Sequence, residues 1–284
     1  GSGKTPLVLW LADALRQRGF RPGIISRGYG GTASAPQAVA ADSDPEVVGD
    51  EPILLARLSG CAVWVGRDRA AAAVSLLAGV PGTDLLIADD GLQHYRLARD
   101  VEIAVFDRRG VGNGWLMPAG PLREPVARLE TVDAIVCNGE DVPAGLFFPE
   151  DVPRYRMELA GDIFYRLGNP DSRANPAALQ GKRLHAVAGI GDPQRFFDHL
   201  TRLGLVFTPH PFPDHHRFTV EDLSFPDADG LLMTEKDAVK CAPLGLIETW
   251  VLRVQARLAP ERPDPHWPEL LDLVLEKLDG RAPA

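Results

Sequence analysis

The apolar residues of this chain follow two rhythms. After Thr5 and Pro6, Leu7, Val8, Leu11, Ala14 and Leu15 recur at helical spacing until Gly19, which predicts an amphipathic helix opened by the proline. Short apolar runs follow at Gly23 to Ser26, Cys61 to Val65, Leu85 to Ala88, Ile103 to Phe106 and Ala134 to Val136, mostly without polar alternation. Such runs suit strands buried on both faces of a parallel sheet. The alanine-rich stretch Arg67 to Leu77 reads as a helix between two of them, so a doubly wound α/β layer is expected.

From Asp141 to Gly181 the pattern loosens into a proline-rich connecting segment, expected to carry short strands around Tyr155 and Phe164. A second α/β stretch follows. Leu184 to Ala188, Gly230 to Met233 and Thr249 to Val254 predict strands, and Pro193 to Leu203 and Pro265 to Leu278 predict helices. The expected organisation is a core lobe over 1–145, a linker over 146–180 and a smaller C-terminal lobe over 181–284. In layers of this kind sites gather at the carboxyl ends of strands, where Ser26, Asp89 and Asp107 each end an apolar run.

Charge narrows the partners. With 30 Lys and Arg against 39 Asp and Glu, the net charge of −9 leaves no global positive field for nucleic acid, so an anionic substrate must meet a local cationic cluster. Cys61, Cys137 and Cys241 lie far apart without zinc-site spacing, which fits a reducing cytosol. No run approaches the roughly 18 apolar residues that a spanning helix needs, so the chain as given is expected to be soluble. It begins without Met, in what looks like the second half of a phosphate-binding loop. Whatever precedes Gly1, including a first strand or a membrane-anchoring segment, lies outside the sequence.

Gly1, Ser2, Gly3, Lys4 and Thr5 match the end of that loop, in which backbone N–H groups cradle phosphates, Lys neutralises them and Thr ligates Mg²⁺. A cloning remnant ahead of an ordinary Gly-Lys-Thr is the alternative. Asp89, Asp90, Gly91, Leu92, Gln93 and His94 follow an apolar run, where an Asp can hold Mg²⁺ or its water, although Asp-Gly is also a common turn pair. Gly49, Asp50, Glu51 and Pro52 precede a helical stripe. Asp50 there is either an N-cap or the carboxylate that accepts a substrate hydroxyl proton. Ser26 to Gly31 forms a glycine-rich loop carrying Arg27 and Tyr29, suited to closing over a polar substrate. Arg67 and Arg69 sit at a helix start, where the dipole disfavours cations, which hints at charge binding.

The long loop from Gly112 to Pro125 offers Arg123 to phosphate and Glu124 to metal, unless the two pair with each other. Pro213, Asp214, His215, His216 and Arg217 place two imidazoles side by side, one of which could orient a catalytic carboxylate. Thr234, Glu235, Lys236 and Asp237 do not form the guanine-reading Asn-Lys-x-Asp, because no spacer separates Lys from Asp.

Taken in order, GKTP, SRGYGG, GDEP, DDGLQH, GNGWLMPAGPLREP, PDHH and TEKDAVK resemble the tetraacyldisaccharide 4′-kinase family from Gly1 to about Lys240. The resemblance implies a P-loop NTPase-like parallel sheet with helices on both faces, plus a second α/β lobe joined by a short β linker. It implies an ATP- and Mg²⁺-dependent kinase acting on the 4′-hydroxyl of a tetraacylated glucosamine disaccharide 1-phosphate, at the cytoplasmic face of the inner membrane and without an obligate protein partner. Lys4 and Thr5 would hold phosphate and Mg²⁺, with Asp50 as base paired with His215. Asp89, Asp90 and Glu124 would serve the metal, and Tyr29, Glu51, Arg69, Gln93, His94 and Arg123 the substrate or phosphate. Closure of the second lobe would bring His215 toward Asp50. The alternative is a P-loop nucleotide switch or metallochaperone-type NTPase, against which the missing Cys-x-x-Cys and guanine motifs count.

Overall fold

The computed structural model describes residues 2–139, 148–246, 248–261 and 267–279. The first helix, α1 (Lys4–Gln17), buries Leu7, Val8, Leu11, Ala12 and Leu15 along one stripe. There follow β1 (Pro22–Ser26), β2 (Gln37–Val39), α2 (Pro45–Val48), α3 (Asp50–Leu58), β3 (Ala62–Val65), α4 (Arg69–Gly79), β4 (Leu85–Ala88), β5 (Ile103–Asp107) and β6 (Ala134–Asn138). The second half comprises β7 (Arg154–Arg166), β8 (Asn169–Ala174), α5 (Pro176–Leu179), β9 (Leu184–Ala188), α6 (Pro193–Arg202), β10 (Phe207–Pro211), β11 (Gly230–Thr234), α7 (Glu235–Cys241), β12 (Thr249–Pro260) and α8 (Leu270–Asp279).

Two sheets form. One has the order β2-β3-β1-β4; the other runs β10-β9-β11-β12-β7-β6-β5, with β8 hydrogen-bonded to β7. Pairing is parallel except at β2–β3, β7–β12 and β7–β8. The continuous apolar runs become β1, β6 and β9, whose residues are all buried, as helices covering both faces require.

The connecting segment differs from its expected form. Tyr155 and Phe164 lie on one 13-residue strand, β7, rather than on separate short ones. It runs antiparallel to the 12-residue β12, with a register shift between Arg253 and Gln255. Gly161 faces that irregularity, and a Cβ there would collide with the Arg253 carbonyl, so the glycine lets the two long strands stay paired. The closing helix also departs from its place in the sequence. Pro265 lies outside the described residues, 267–269 are not helical, and the helix starts at Leu270 and packs on α1: Val274 joins the core of the first sheet, and Leu270 meets Leu7.

The free edge of β4 and the free edge of β5 border one cavity of about 740 Å³. Leu7, Leu11, Ile87 and Val105 line its depth, while Lys4, Asp90, Gln93 and Arg123 stand at its polar end. Among the described residues, no helix is long and apolar enough to cross a membrane.

Candidate active site

Ser2 to Thr5 lead into α1 with Gly3 at φ +100°, a conformation that costs an L side chain about 1–2 kcal/mol. A Cβ on Gly3 would also collide with the Asn138 amide. That amide donates to the Ser2 carbonyl (3.1 Å) and its oxygen accepts from Arg195 of α6 (2.9 Å), so the end of β6 steadies the loop. Lys4 Nζ lies 3.3 Å from Ser2 Oγ and 3.5 Å from Asp90 Oδ1. Gly1 falls outside the described residues.

The carboxylates after β4 have different fates. Asp90, at φ +51°, is engaged by Lys4 and by Arg123, whose Nη1 donates to both its oxygens at 2.9 and 3.0 Å. Burial works against its charge, but the Arg123 and Lys4 contacts outweigh it and hold the pKa low. Asp89 is buried, accepts one hydrogen bond from Ser26 Oγ (3.2 Å), and leaves Oδ1 without a partner. Burial, reinforced by the nearby Glu51 charge, pushes its pKa up to about 6. An orphaned carboxylate oxygen in a buried phosphate site is what a divalent cation or its water would satisfy.

Arg123 and Glu124 do not pair with each other. Arg123 turns to Asp90 and Gln93, and Glu124 accepts from Gln93 Nε2 (2.7 Å) and Tyr95 Oη, with Arg128 at 3.7 Å. Glu124 is therefore wrapped in donors and lacks the open oxygen that Asp89 has. Arg69 begins α4 fully packed in, its Nη2 3.4 Å from the Asp90 carbonyl and its Nε without a partner. His94 lies 3.9 Å from Asp68, and burial together with the Arg69 charge lowers its pKa.

A second cluster forms where α3 meets the loop before α7. Asp50 is the first residue of α3, behind Gly49 at φ +88°. Gly49 is needed because a Cβ would come within 2.6 Å of the Tyr29 carbonyl, where the Ser26–Gly31 loop crosses. Asp50 is buried, its Oδ1 accepts from the Glu51 N–H (2.9 Å), and its Oδ2 stands 3.1 Å from His215 Nδ1. The Tyr29 ring, itself exposed, lies 5.4 Å from the imidazole. His216 turns away to Asp222 (3.0 Å) and packs against Phe212 and Phe218. Of the two adjacent histidines, His215 alone reaches Asp50.

Lys236 completes this cluster with contacts to Glu51 (3.1 Å) and Asp214 (3.2 Å). Its neighbours in the same motif hold the helix. Thr234 caps α7, and Asp237 accepts from the Gly189 N–H (3.0 Å) and pairs with Lys240 (2.8 Å). Sequence reasoning missed Lys236, Asn138 and Arg195 as site residues. Asn138 ends an apolar run as Asp89 does, which was a usable signal; Lys236 lay in the TEKDAVK motif without a role assigned to it, and Arg195 gave none.

The two clusters meet at Asp89, which feels both Glu51 and Lys4. The site is thus a cation-bearing loop, a buried carboxylate with an open oxygen, and a carboxylate–imidazole pair around one space. No group of three or more metal-ligating side chains is preassembled among the described residues, so a cation would be shared with a ligand's oxygens.

The chain is similar to known proteins along most of its length. The family model described as tetraacyldisaccharide-1-P 4′-kinase matches residues 1–274. Tetraacyldisaccharide 4′-kinase of Dechloromonas aromatica is 55% identical over 282 residues, covering 99% of this chain and 81% of the relative. The enzyme of that name from Azoarcus sp. is 51% identical over 290 residues, covering 100% and 81%. The crystal structure of "apo" form LpxK from Aquifex aeolicus in complex with ATP superposes with a TM-score of 0.79 at 28% identity, covering 98% of this chain and 84% of that one. With a family model matching nearly its whole length and relatives more than half identical to it, the chain belongs to the tetraacyldisaccharide-1-P 4′-kinase family.

Proposed function

We propose that this chain transfers the γ-phosphate of ATP to the 4′-hydroxyl of a tetraacylated glucosamine disaccharide 1-phosphate. The observation that carries the assignment of roles is the Asp50–His215 pair, 3.1 Å apart, with Asp50 buried and His215 half-buried. Phosphoryl transfer asks for positioning and charge neutralisation more than for covalent chemistry. Lys4 and the backbone N–H groups after Gly3 bind phosphate oxygens. Arg123 and Arg69 add positive charge on the opposite side, with Gln93 and His94 beside them.

Asp50 takes the proton from the acceptor hydroxyl as its oxygen attacks phosphorus, and His215 keeps the carboxylate oriented. Tyr29 and Glu51 flank the space left for the sugar. Thr5 and Asp89, with Asp90 beside them, would hold Mg²⁺, which supplies charge neutralisation for the phosphate oxygens when bound, whereas Glu124, expected as a metal ligand, is taken up by Gln93, Tyr95 and Arg128. We read residues 1–145 and 181–284 as the two lobes and 146–180 as the segment between them; one sheet, β10-β9-β11-β12-β7-β6-β5, runs through all three, and the Asp50–His215 contact links the first to the last. The work is carried out at the cytoplasmic face of the inner membrane, where the acylated substrate resides.

The test is ATP consumption with and without the tetraacylated disaccharide 1-phosphate in detergent, comparing wild type with Asp50→Ala. Lipid-dependent turnover lost in the variant is expected. Turnover indifferent to the lipid would overturn the reading in favour of a nucleotide switch.

A further inference from the structure

Lys236 stands on the opposite wall of the site from the phosphate loop. Its Nζ lies 3.1 Å from Glu51 Oε1, 3.2 Å from Asp214 Oδ1 and 3.4 Å from His215 Nε2. An ammonium carries three protons and no lone pair, so all three contacts are donated by Lys236 and each partner is an acceptor. For His215 that requirement decides the tautomer. Nε2 must be bare, and a neutral imidazole then carries its proton on Nδ1, where it donates to Asp50 Oδ2 3.1 Å away.

We propose that Lys236 is a positioning residue that holds His215 in its neutral Nδ1–H form and so presents Asp50 to the acceptor hydroxyl without a cation bound to it. The proposal rests on Asp50 being the base. Its physical content is a contest between charges. His215 is faced by Asp50 from α3, by Asp214 of its own loop (3.9 Å from Nε2), by the Tyr29 ring, and by Lys236 from α7, which in turn holds Glu51. Arg109 adds a more distant positive charge through Asp214. An imidazolium paired with Asp50 would occupy that carboxylate with a cation and make it a poorer base. The single ammonium at Nε2 opposes this directly.

The same side chain joins two bodies of the fold. Lys236 follows β11 of the eight-stranded sheet, whereas Glu51 sits on α3 against the four-stranded one. Burial works against the lysine's charge, yet Glu51, Asp50 and Asp214 together hold its pKa above the ordinary value. The tautomer and the approach of the two walls are thus set by one residue.

Histidine ¹⁵N NMR on the chain, with the His215 signal assigned by its loss in His215→Gln, tests the proposal. An Nδ1–H tautomer is expected in the wild type and its loss in Lys236→Met. Lys236→Arg, another donor-only cation, should keep it. In turnover, Lys236→Met should lower kcat about 10–100-fold, with KM for ATP changed less than about twofold. An Nε2–H or doubly protonated His215 in the wild type overturns the proposal whether or not any variant folds, as does an unchanged tautomer in a folded Lys236→Met. Asp50→Asn separates the two readings: full activity in that variant removes the base assignment, whereas the tautomer result is read without turnover.

Discussion

His215 Nδ1 lies 3.1 Å from Asp50 Oδ2, although 165 residues separate them in sequence. The contact needs His215 at φ +60°, an uncommon conformation for a residue with a side chain, and the surrounding structure must stabilise it. His215→Ala should lower kcat about 10–100-fold while leaving KM for ATP nearly unchanged, because the imidazole touches Asp50, the proposed base, and not Lys4. Steady-state kinetics decide it. Full activity in the variant would remove the pair from the mechanism.

Asp89 combines a buried carboxylate, an oxygen without a partner and a pKa raised to about 6. Keeping such a group charged near neutrality weakens the folded state, so Asp89→Asn should raise the melting temperature slightly while reducing turnover about 100-fold or more. A calorimetric melt and an ATPase assay on the same sample read both effects. Loss of activity accompanied by lower stability would instead mark Asp89 as a structural residue.

Gly3→Ala places a methyl group against the Asn138 amide and forces alanine to φ +100°. ATP affinity should fall about tenfold or more, as follows from roughly 1.4 kcal/mol of lost binding per factor of ten. Isothermal titration with ATP measures it. Unchanged affinity would show that the nucleotide is held elsewhere.

Glu235 follows Thr234 into α7 with its carboxyl buried, Oε2 accepting only a 3.3 Å bond from the Val254 N–H and Oε1 unpartnered. Burial raises its pKa from 4.5 to about 7. The folded chain then binds this proton more tightly than the unfolded one, so its stability falls as pH rises from about 4.5 to 7 and levels off above. Glu235→Gln should remove this decline and raise stability at pH 8 by roughly 1–3 kcal/mol. Urea denaturation at pH 5 and pH 8 checks it: equal gains at both values would contradict the assignment.

Much of the strand framework was legible because strands buried on both faces read as unbroken apolar runs, as at Ile24 and Ile25 or Ala134 to Val136. The phosphate loop was legible because glycine, lysine and threonine at that spacing have few other uses. The long ribbon of β7 and β12 was not, since its core residues Tyr155, Met157 and Phe164 alternate with exposed ones in a proline-rich setting. The choice between His215 and His216 was not legible either, because neighbouring positions in a loop face different ways only once the loop is folded. Lys236 was hidden for a related reason. Its motif looked like a failed nucleotide-base reader, while its three partners come from two distant parts of the chain.

The helix that ends the described chain rests on the one that begins it, through Leu270 against Leu7, Val274 in the shared core, and Asp272 3.5 Å from Arg18. Every candidate site residue from Lys4 to Lys236 precedes α8 in the sequence, so α1 gains this wall only after all of them have been synthesised. Until α8 docks, the apolar stripe of α1 is only partly covered. Nucleotide binding is thereby tied to a helix that contributes none of those site residues itself.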